Sequence, residues 1–215
     1  MNRFVWDMRY PDSTNFPGMI YWAASSRGPI IVPGDYQVKL TVNGQSSTQP
    51  VKVKKDPRMS STIDDLNRQL SLSLQLRDKV SQTNDAVIKI RETRKQIDDF
   101  VARVQDQKEA AKVVEAGKAL SKHLFEIENE LYQTKNQSGQ DPLNYPIKLN
   151  NKIAAVLGVV QMSDTAPTKQ ASEVFEDLAT KVNAQLKKLD SAMTGDLPNF
   201  NKLAKEANIP AVLVK

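Results

Sequence analysis

The chain has 215 residues, of which 40% are hydrophobic and 26% charged, with a net charge of +5. That balance argues against disorder along the whole chain, and no apolar run approaches the roughly 20 residues a membrane helix needs. There is no cysteine and a single histidine, His123. Thiolate metal sites, disulfide scaffolds and cysteine nucleophiles are thereby excluded, and a histidine triad or multi-histidine centre is disfavoured.

Composition changes sharply near Asp56-Pro57. Residues 1–57 hold six of the 11 prolines, four of the eight glycines and 7 of the 13 aromatic residues. Arg58 to Ala116 contains neither glycine nor proline. The chain therefore divides into a β-rich segment, residues 1–57, and a helical segment, residues 58–215.

In the first segment Phe4-Val5-Trp6 reads as a strand. A long aromatic connection from Tyr10 to Pro33 follows. The turn signal Val32-Pro33-Gly34-Asp35 then leads into Tyr36, Val38, Leu40 and Val42, which alternate with polar residues as a half-buried strand should. Asn43-Gly44 is the favoured dipeptide of a two-residue type I′ hairpin. The return strand runs from about Gln45 through Val53, with Pro50 suited to an edge or a bulge. Three or four strands are too few for an immunoglobulin-like sandwich, which takes about seven. The expectation is a small, incomplete sandwich that begins partway, since Met1-Asn2-Arg3 leads straight into an apolar strand. No apolar stretch behind a basic start marks a signal peptide.

The second segment reads as an antiparallel bundle of four or five helices. Ser61-Thr62 with Asp64-Asp65 is a helix start. Leu66, Leu70 and Leu74, then Leu76, Val80, Thr83, Val87, Ile90, Ile97, Val101 and Val104, trace one stripe over about 40 residues, on the order of 60 Å. Arg94 interrupts it. The next helix carries Val113, Leu120, Leu124, Ile127 and Leu131, with Gly117 on the same stripe where a neighbour can approach closely. Lys135 to Pro146 is a break. A third helix spans about Leu149 to Met162, and a fourth ends near Met193 with Gly195 to Pro198 as its stop. Phe200, Leu203 and Ala207 suggest a short fifth helix closed by Pro210.

No catalytic, cofactor or metal residue is assigned. His123, Glu126 and Glu130 are the one metal-like grouping, but a di-iron bundle takes two Glu-x-x-His pairs and more glutamates. Adjacent Asp98 and Asp99 point about 100° apart on a helix and cannot share a substrate. The charge is diffuse: residues 1–57 carry seven Lys/Arg against four Asp, and the remainder 23 against 21. No phosphate-tracking stripe results, so nucleic acid is not an expected partner. The aromatic residues Trp6, Tyr10, Phe16, Tyr21 and Trp22 are the candidate ligand or interface group, either a sugar platform or the filling of a seam between sheet and helices.

An ordered series of motifs carries a family likeness. Asn2 to Pro11 (Asn-Arg-Phe-Val-Trp-Asp-Met-Arg-Tyr-Pro), Phe16-Pro17-Gly18-Met19, Val32-Pro33-Gly34-Asp35-Tyr36, Leu40-Thr41-Val42-Asn43-Gly44 and Asp56-Pro57-Arg58 precede a long helix. This resembles the C-terminal region of bacterial sortilin-like, BNR (Asp-box) β-propeller proteins, often labelled glycosyl hydrolases. The resemblance implies an exported parent, periplasmic or extracellular, in which a propeller precedes an immunoglobulin- or fibronectin-like segment and a helical tail. It implies a non-catalytic accessory role, with a propeller domain as protein partner in cis or in trans. A carbohydrate-binding module or glycoside hydrolase-like fragment is the alternative, and a helical adaptor working through the long helix is a third. Fold-level likeness does not establish hydrolase activity.

Overall fold

Helix α1 (Ile63–Val104) is 42 residues long, about 63 Å at 1.5 Å per residue. Its start is fixed by a capping box. Thr62 Oγ1 accepts from the Asp65 amide at 3.1 Å, and the Thr62 amide donates to Asp65 Oδ2 at 2.9 Å. The Thr62 hydroxyl, which donates to Asp65 Oδ2 at 2.7 Å, and the Thr62 amide together hold the Asp65 carboxyl below its usual range. α1 is the spine of a mixed α+β chain, seen in a computed structural model that describes residues 3–208. Pro210, expected to close the last helix, and the Met1-Asn2 start lie outside the described residues.

Four more helical segments follow: α2 (Ala111–Leu131), α3 (Leu149–Val160), α4 (Lys169–Ser191) and α5 (Leu197–Glu206). Their packing partners give their directions. Arg94 of α1 reaches Ser121 and Glu128 of α2, while Val101 lies opposite Gly117, so α2 runs antiparallel to α1. Asn84 meets Asn150 and Gln69 meets the Val160 carbonyl, so α3 is antiparallel to α1 as well. α2 and α3 thus lie end to end along the spine, α2 beside its C-terminal half and α3 beside its N-terminal half.

α4 and α5 run the other way, with Asn183 beside Lys79 and Phe200 beside Phe100. They are joined by a π-helical turn, Ala192–Asp196, through which the backbone stays helical. The five helices are arranged in three columns: α1, α2 with α3, and α4 with α5. The expected stop at Gly195 to Pro198 does not end its helix. Pro198 falls in the first turn of α5, directly after the π-helical turn.

The core lies where the columns meet. Leu76, Val80, Val87, Ile90, Leu124, Ile127, Leu131, Ile153 and Val182 are each at most 2% exposed. Gly117 fulfils its expected role. A Cβ there would stand 2.5 Å from Val101 Cγ2 and 3.0 Å from Phe200 Cε2, so only glycine admits both neighbours at this depth. Along α1 the buried stripe departs from the expectation at its N-terminal end: Leu72 and Ser73 are buried, while Leu70 and Leu74 are only half-buried.

The β part is a single antiparallel hairpin, β1 (Gly34–Val42) and β2 (Gln45–Val53), in uninterrupted register from Gly34–Val53 to Val42–Gln45. Asn43 and Gly44 have φ of 49° and 82°, the positive values a type I′ turn demands. The expected strand at Phe4-Val5-Trp6 is not formed. Phe4 and Val5 are 87% and 71% exposed, because no third strand is present among the described residues for them to pair with. Among the described residues only an isolated bridge, Arg9 to Ile30, extends β pairing beyond the hairpin. No sandwich forms among the described residues.

Candidate functional site

The connection from Tyr10 to Pro33 is an out-and-back loop. Its two limbs are tied by Tyr10 N–H to the Pro29 carbonyl (2.8 Å), Ser13 N–H to Ser26 (2.9 Å) and Ile31 N–H to Met8 (2.9 Å). Its tip, roughly Thr14 to Ala24, enters the junction at which α2 ends and α3 begins. A break in a helical column leaves side chains and loop carbonyls uncovered, and the tip fills that gap.

Asn84 of α1, wholly buried, is the centre of the docking. Its Nδ2 donates to the Thr14 carbonyl (2.7 Å) and the Tyr21 hydroxyl (3.1 Å), and its Oδ1 accepts from Asn150 of α3 (3.2 Å). Asn151 pairs with the backbone of Trp22 as a strand would, accepting its N–H at 2.7 Å and donating to its carbonyl at 2.9 Å. The Tyr132 hydroxyl, just past α2, accepts from the Ile20 amide at 3.1 Å and donates to the Gly18 carbonyl at 3.2 Å.

Below the loop tip lies a charge cluster. Glu128 of α2, whose side chain is 3% exposed, takes Arg91 on one carboxylate oxygen (2.6 Å) and Arg94 on the other (3.1 Å). The Arg91 guanidinium is stacked over the rings of Phe16 (4.7 Å) and Tyr132 (5.2 Å), and Arg94 over Phe125 (4.8 Å). Both acceptor oxygens are satisfied and both cations are covered by aromatic faces. The cluster joins α1, α2 and the loop.

The five candidate aromatic residues are accordingly divided. Phe16 is buried in the helical core, edge-on to Tyr132 at 5.0 Å. Tyr21 is half-buried on Asn84, and burial pushes its phenol up to about 12. Tyr10 is half-buried at the loop base, and its backbone carries the first tie between the limbs. Trp6 packs edge-on against Tyr36 of the hairpin at 5.9 Å. Trp22 is the most open of the five, at 36% exposure.

The Tyr21 phenol gives an alkaline signature. Its ordinary value is 10.0, so between about pH 10 and 12 the unfolded chain loses a proton that the fold retains. Stability is intact below pH 10 and falls as pH rises through that window, by on the order of 2 kcal/mol. Urea midpoints compared between about pH 9 and pH 11.5 should drop for the native chain. In Tyr21→Phe the drop should shrink clearly, and an unchanged drop would show that the phenol is not the group responsible.

Elsewhere, His123 Nδ1 lies 3.3 Å from Asp196 Oδ2, and Glu130 pairs with Lys148. No group of three or more potential ligands of these types stands together among the described residues. Asp56 binds the Arg58 amide and guanidinium, which hold its carboxyl below the usual range. No helix among the described residues is long and apolar enough to cross a membrane.

The feature that the helices leave unused is the hairpin. Tyr36, Val38, Leu40, Val42, Val51 and Val53 share one face, with Asp35, Gln37, Lys39, Thr41 and Lys52 on the other. Val38, Leu40, Val42 and Val51 are 48%, 64%, 56% and 38% exposed. At the base of the hairpin, Val32, Val53, Met59, Leu66 and Leu70 line an apolar cavity of about 240 Å³. An apolar stripe thus begins inside the protein and runs out into solvent along the sheet. The alternation in the sequence announced that stripe but not its exposure, which depends on what the helices cover. Comparison with protein-family models, with curated proteins and with solved structures found no match for this chain.

Proposed function

We propose that this chain is a non-catalytic accessory and interaction module, in which a rigid helical body presents a β-hairpin for docking or assembly. The observation that carries the reading is the exposed apolar face of the hairpin, set beside helices whose own apolar faces are mostly buried in the core. A two-stranded sheet with both faces in water is marginal by itself, and three or more strands or a covering layer make it stable. The hairpin is therefore half of an immunoglobulin- or fibronectin-like sheet that another β-rich element completes. By the motif resemblance, that element belongs to an exported Asp-box propeller protein.

A sugar platform would use several rings on one open face, whereas Phe16 and Tyr21 are engaged in the core and even Trp22, the most open, is only 36% exposed. The aromatic group therefore supports docking of the loop more than binding of a ligand.

The reading is tested by titrating this chain with a separately produced Asp-box propeller domain and following binding by calorimetry. The expected result is saturable binding that Leu40→Lys and Val51→Lys abolish while far-UV circular dichroism is unchanged. Absence of binding, or binding indifferent to both substitutions, would overturn it.

A further inference from the structure

The two edges of the hairpin are not equivalent. A two-residue turn closes on a hydrogen-bonded pair, here Val42–Gln45, so the alternate pairs Leu40–Ser47, Val38–Gln49 and Tyr36–Val51 also exchange backbone bonds. The backbone groups of Asp35, Gln37, Lys39 and Thr41 then point outward from β1, and those of Ser46, Thr48, Pro50 and Lys52 outward from β2. Proline has no amide hydrogen, so Pro50 interrupts the outer edge of β2 at its middle. The outer edge of β1 is continuous from Asp35 to Thr41.

We infer that the β1 edge is a self-association surface, on which a second copy of this chain pairs antiparallel, β1 against β1, to make a four-stranded sheet. Charge selects both the occupant and the register. With Gln37 opposite Gln37 of the second copy, Asp35 of each chain faces Lys39 of the other, giving two reciprocal ion pairs on the polar face. On the apolar face the same register sets Tyr36 opposite Val38, twice, an aromatic and β-branched pairing that favours sheets. A shift of two residues in one strand toward the turn leaves Asp35 opposite Thr41 and loses both ion pairs. A further such shift places Lys39 opposite Lys39, a like-charge contact that is destabilising. One register is thus favoured over its neighbours.

Among the described residues nothing from the helical body pairs with β1 on that side, and Asp35, Gln37, Lys39 and Thr41 are all exposed. The side chain of Asp35 is 82% exposed, with Lys52 of the same hairpin at 3.7 Å. Three outward residues per strand supply about six inter-chain backbone bonds, two for each closely spaced pair. The contact is small beside a stable dimer interface of about 1,600 Å², so association is concentration-dependent. This inference stands independently of the propeller reading, because it concerns the backbone edge and is read from self-association with no partner added.

Sedimentation velocity over a wide range of protein concentration tests it. The native chain is expected to pass from monomer to dimer. Asp35→Lys and Lys39→Asp should each weaken the dimer by about tenfold, since two attractive pairs become two repulsive ones. The double variant should recover most of the affinity. Gln37→Pro removes the central outward amide and should abolish the dimer with far-UV circular dichroism unchanged, while Thr48→Pro on the β2 edge should leave it intact. A chain monomeric at every concentration overturns the inference. So does a dimer insensitive to Gln37→Pro, or one in which the charge swap fails to rescue.

Discussion

Glu128→Ala is expected to destabilise the fold by about 3 kcal/mol, toward the lower end of what removal of one partner from a buried ion pair costs. The substitution leaves Arg91 and Arg94 facing each other with no counter-charge, under aromatic rings that restrict their access to water. The side chains of Arg91 and Arg94 keep 37% and 26% exposure, and that residual hydration is why the upper end of the range is not reached. For a protein of this size the loss corresponds to a fall in Tm of roughly 10 °C. Glu128→Gln keeps the shape and one acceptor and should lose markedly less. Urea unfolding with a two-state fit checks both, and a loss below about 1 kcal/mol for alanine would show that the arginines find other partners.

The second large effect is at Asn84. Asn84→Ala removes two donated bonds and one accepted bond at once, and it strands the Thr14 carbonyl and the Asn150 amide away from water. Each buried polar group left unpaired costs about 1–3 kcal/mol, so a total near 3 kcal/mol is expected, part of it offset by local relaxation. Asn84→Asp should be at least as severe. It preserves shape but replaces the donor that the Thr14 carbonyl requires with a buried negative charge. The consequence is local before it is global. Amide exchange at Ile20 and Trp22, whose N–H groups bond Tyr132 and Asn151, should accelerate well before exchange in the C-terminal half of α1. Uniform acceleration along α1 would mean that the loop and the helices unfold as one unit.

The two predictions have a common origin in the loop that seals the junction of α2 and α3. Its tip places Phe16 over the Arg91 guanidinium and Tyr21 on Asn84, so the polar cluster and the polar network are both closed by residues from the β-rich segment. That arrangement ties the loop to three helices, and a well-tied body is what the docking role proposed for the hairpin calls for. An interface on a rigid scaffold loses less conformational entropy on binding than one that must order first.

Much of this chain was legible locally. The hairpin was readable from alternation and from Asn43-Gly44, because strand period and turn chemistry are set by neighbouring residues. The start of α1 was readable from Thr62 and Asp65, since a capping box closes within four residues. Gly117 was readable as a close-contact position because it interrupts an apolar stripe at helical spacing. Arg94 within the α1 stripe and Glu128 four residues after Leu124 were the available signs of the charge cluster, but they are 34 residues apart and nothing local joins them. Asn84, next to Thr83 on the same stripe, carries no local sign of its partners for the same reason.

The tertiary structure alone decided how the helices stack and what stays uncovered. Helical periodicity gives the face a helix buries, not the element it buries it against, so the end-to-end placement of α2 and α3 and the unbroken path from α4 to α5 were open. Apolar alternation in β1 likewise predicts a face that prefers cover without saying whether cover is supplied. The composition bounded the chemistry from the outset, because residue types that are absent cannot be recruited by any fold. Where the +5 charge, the aromatic residues and the hairpin end up in space is a matter of long-range contacts, and only the packed chain could settle it.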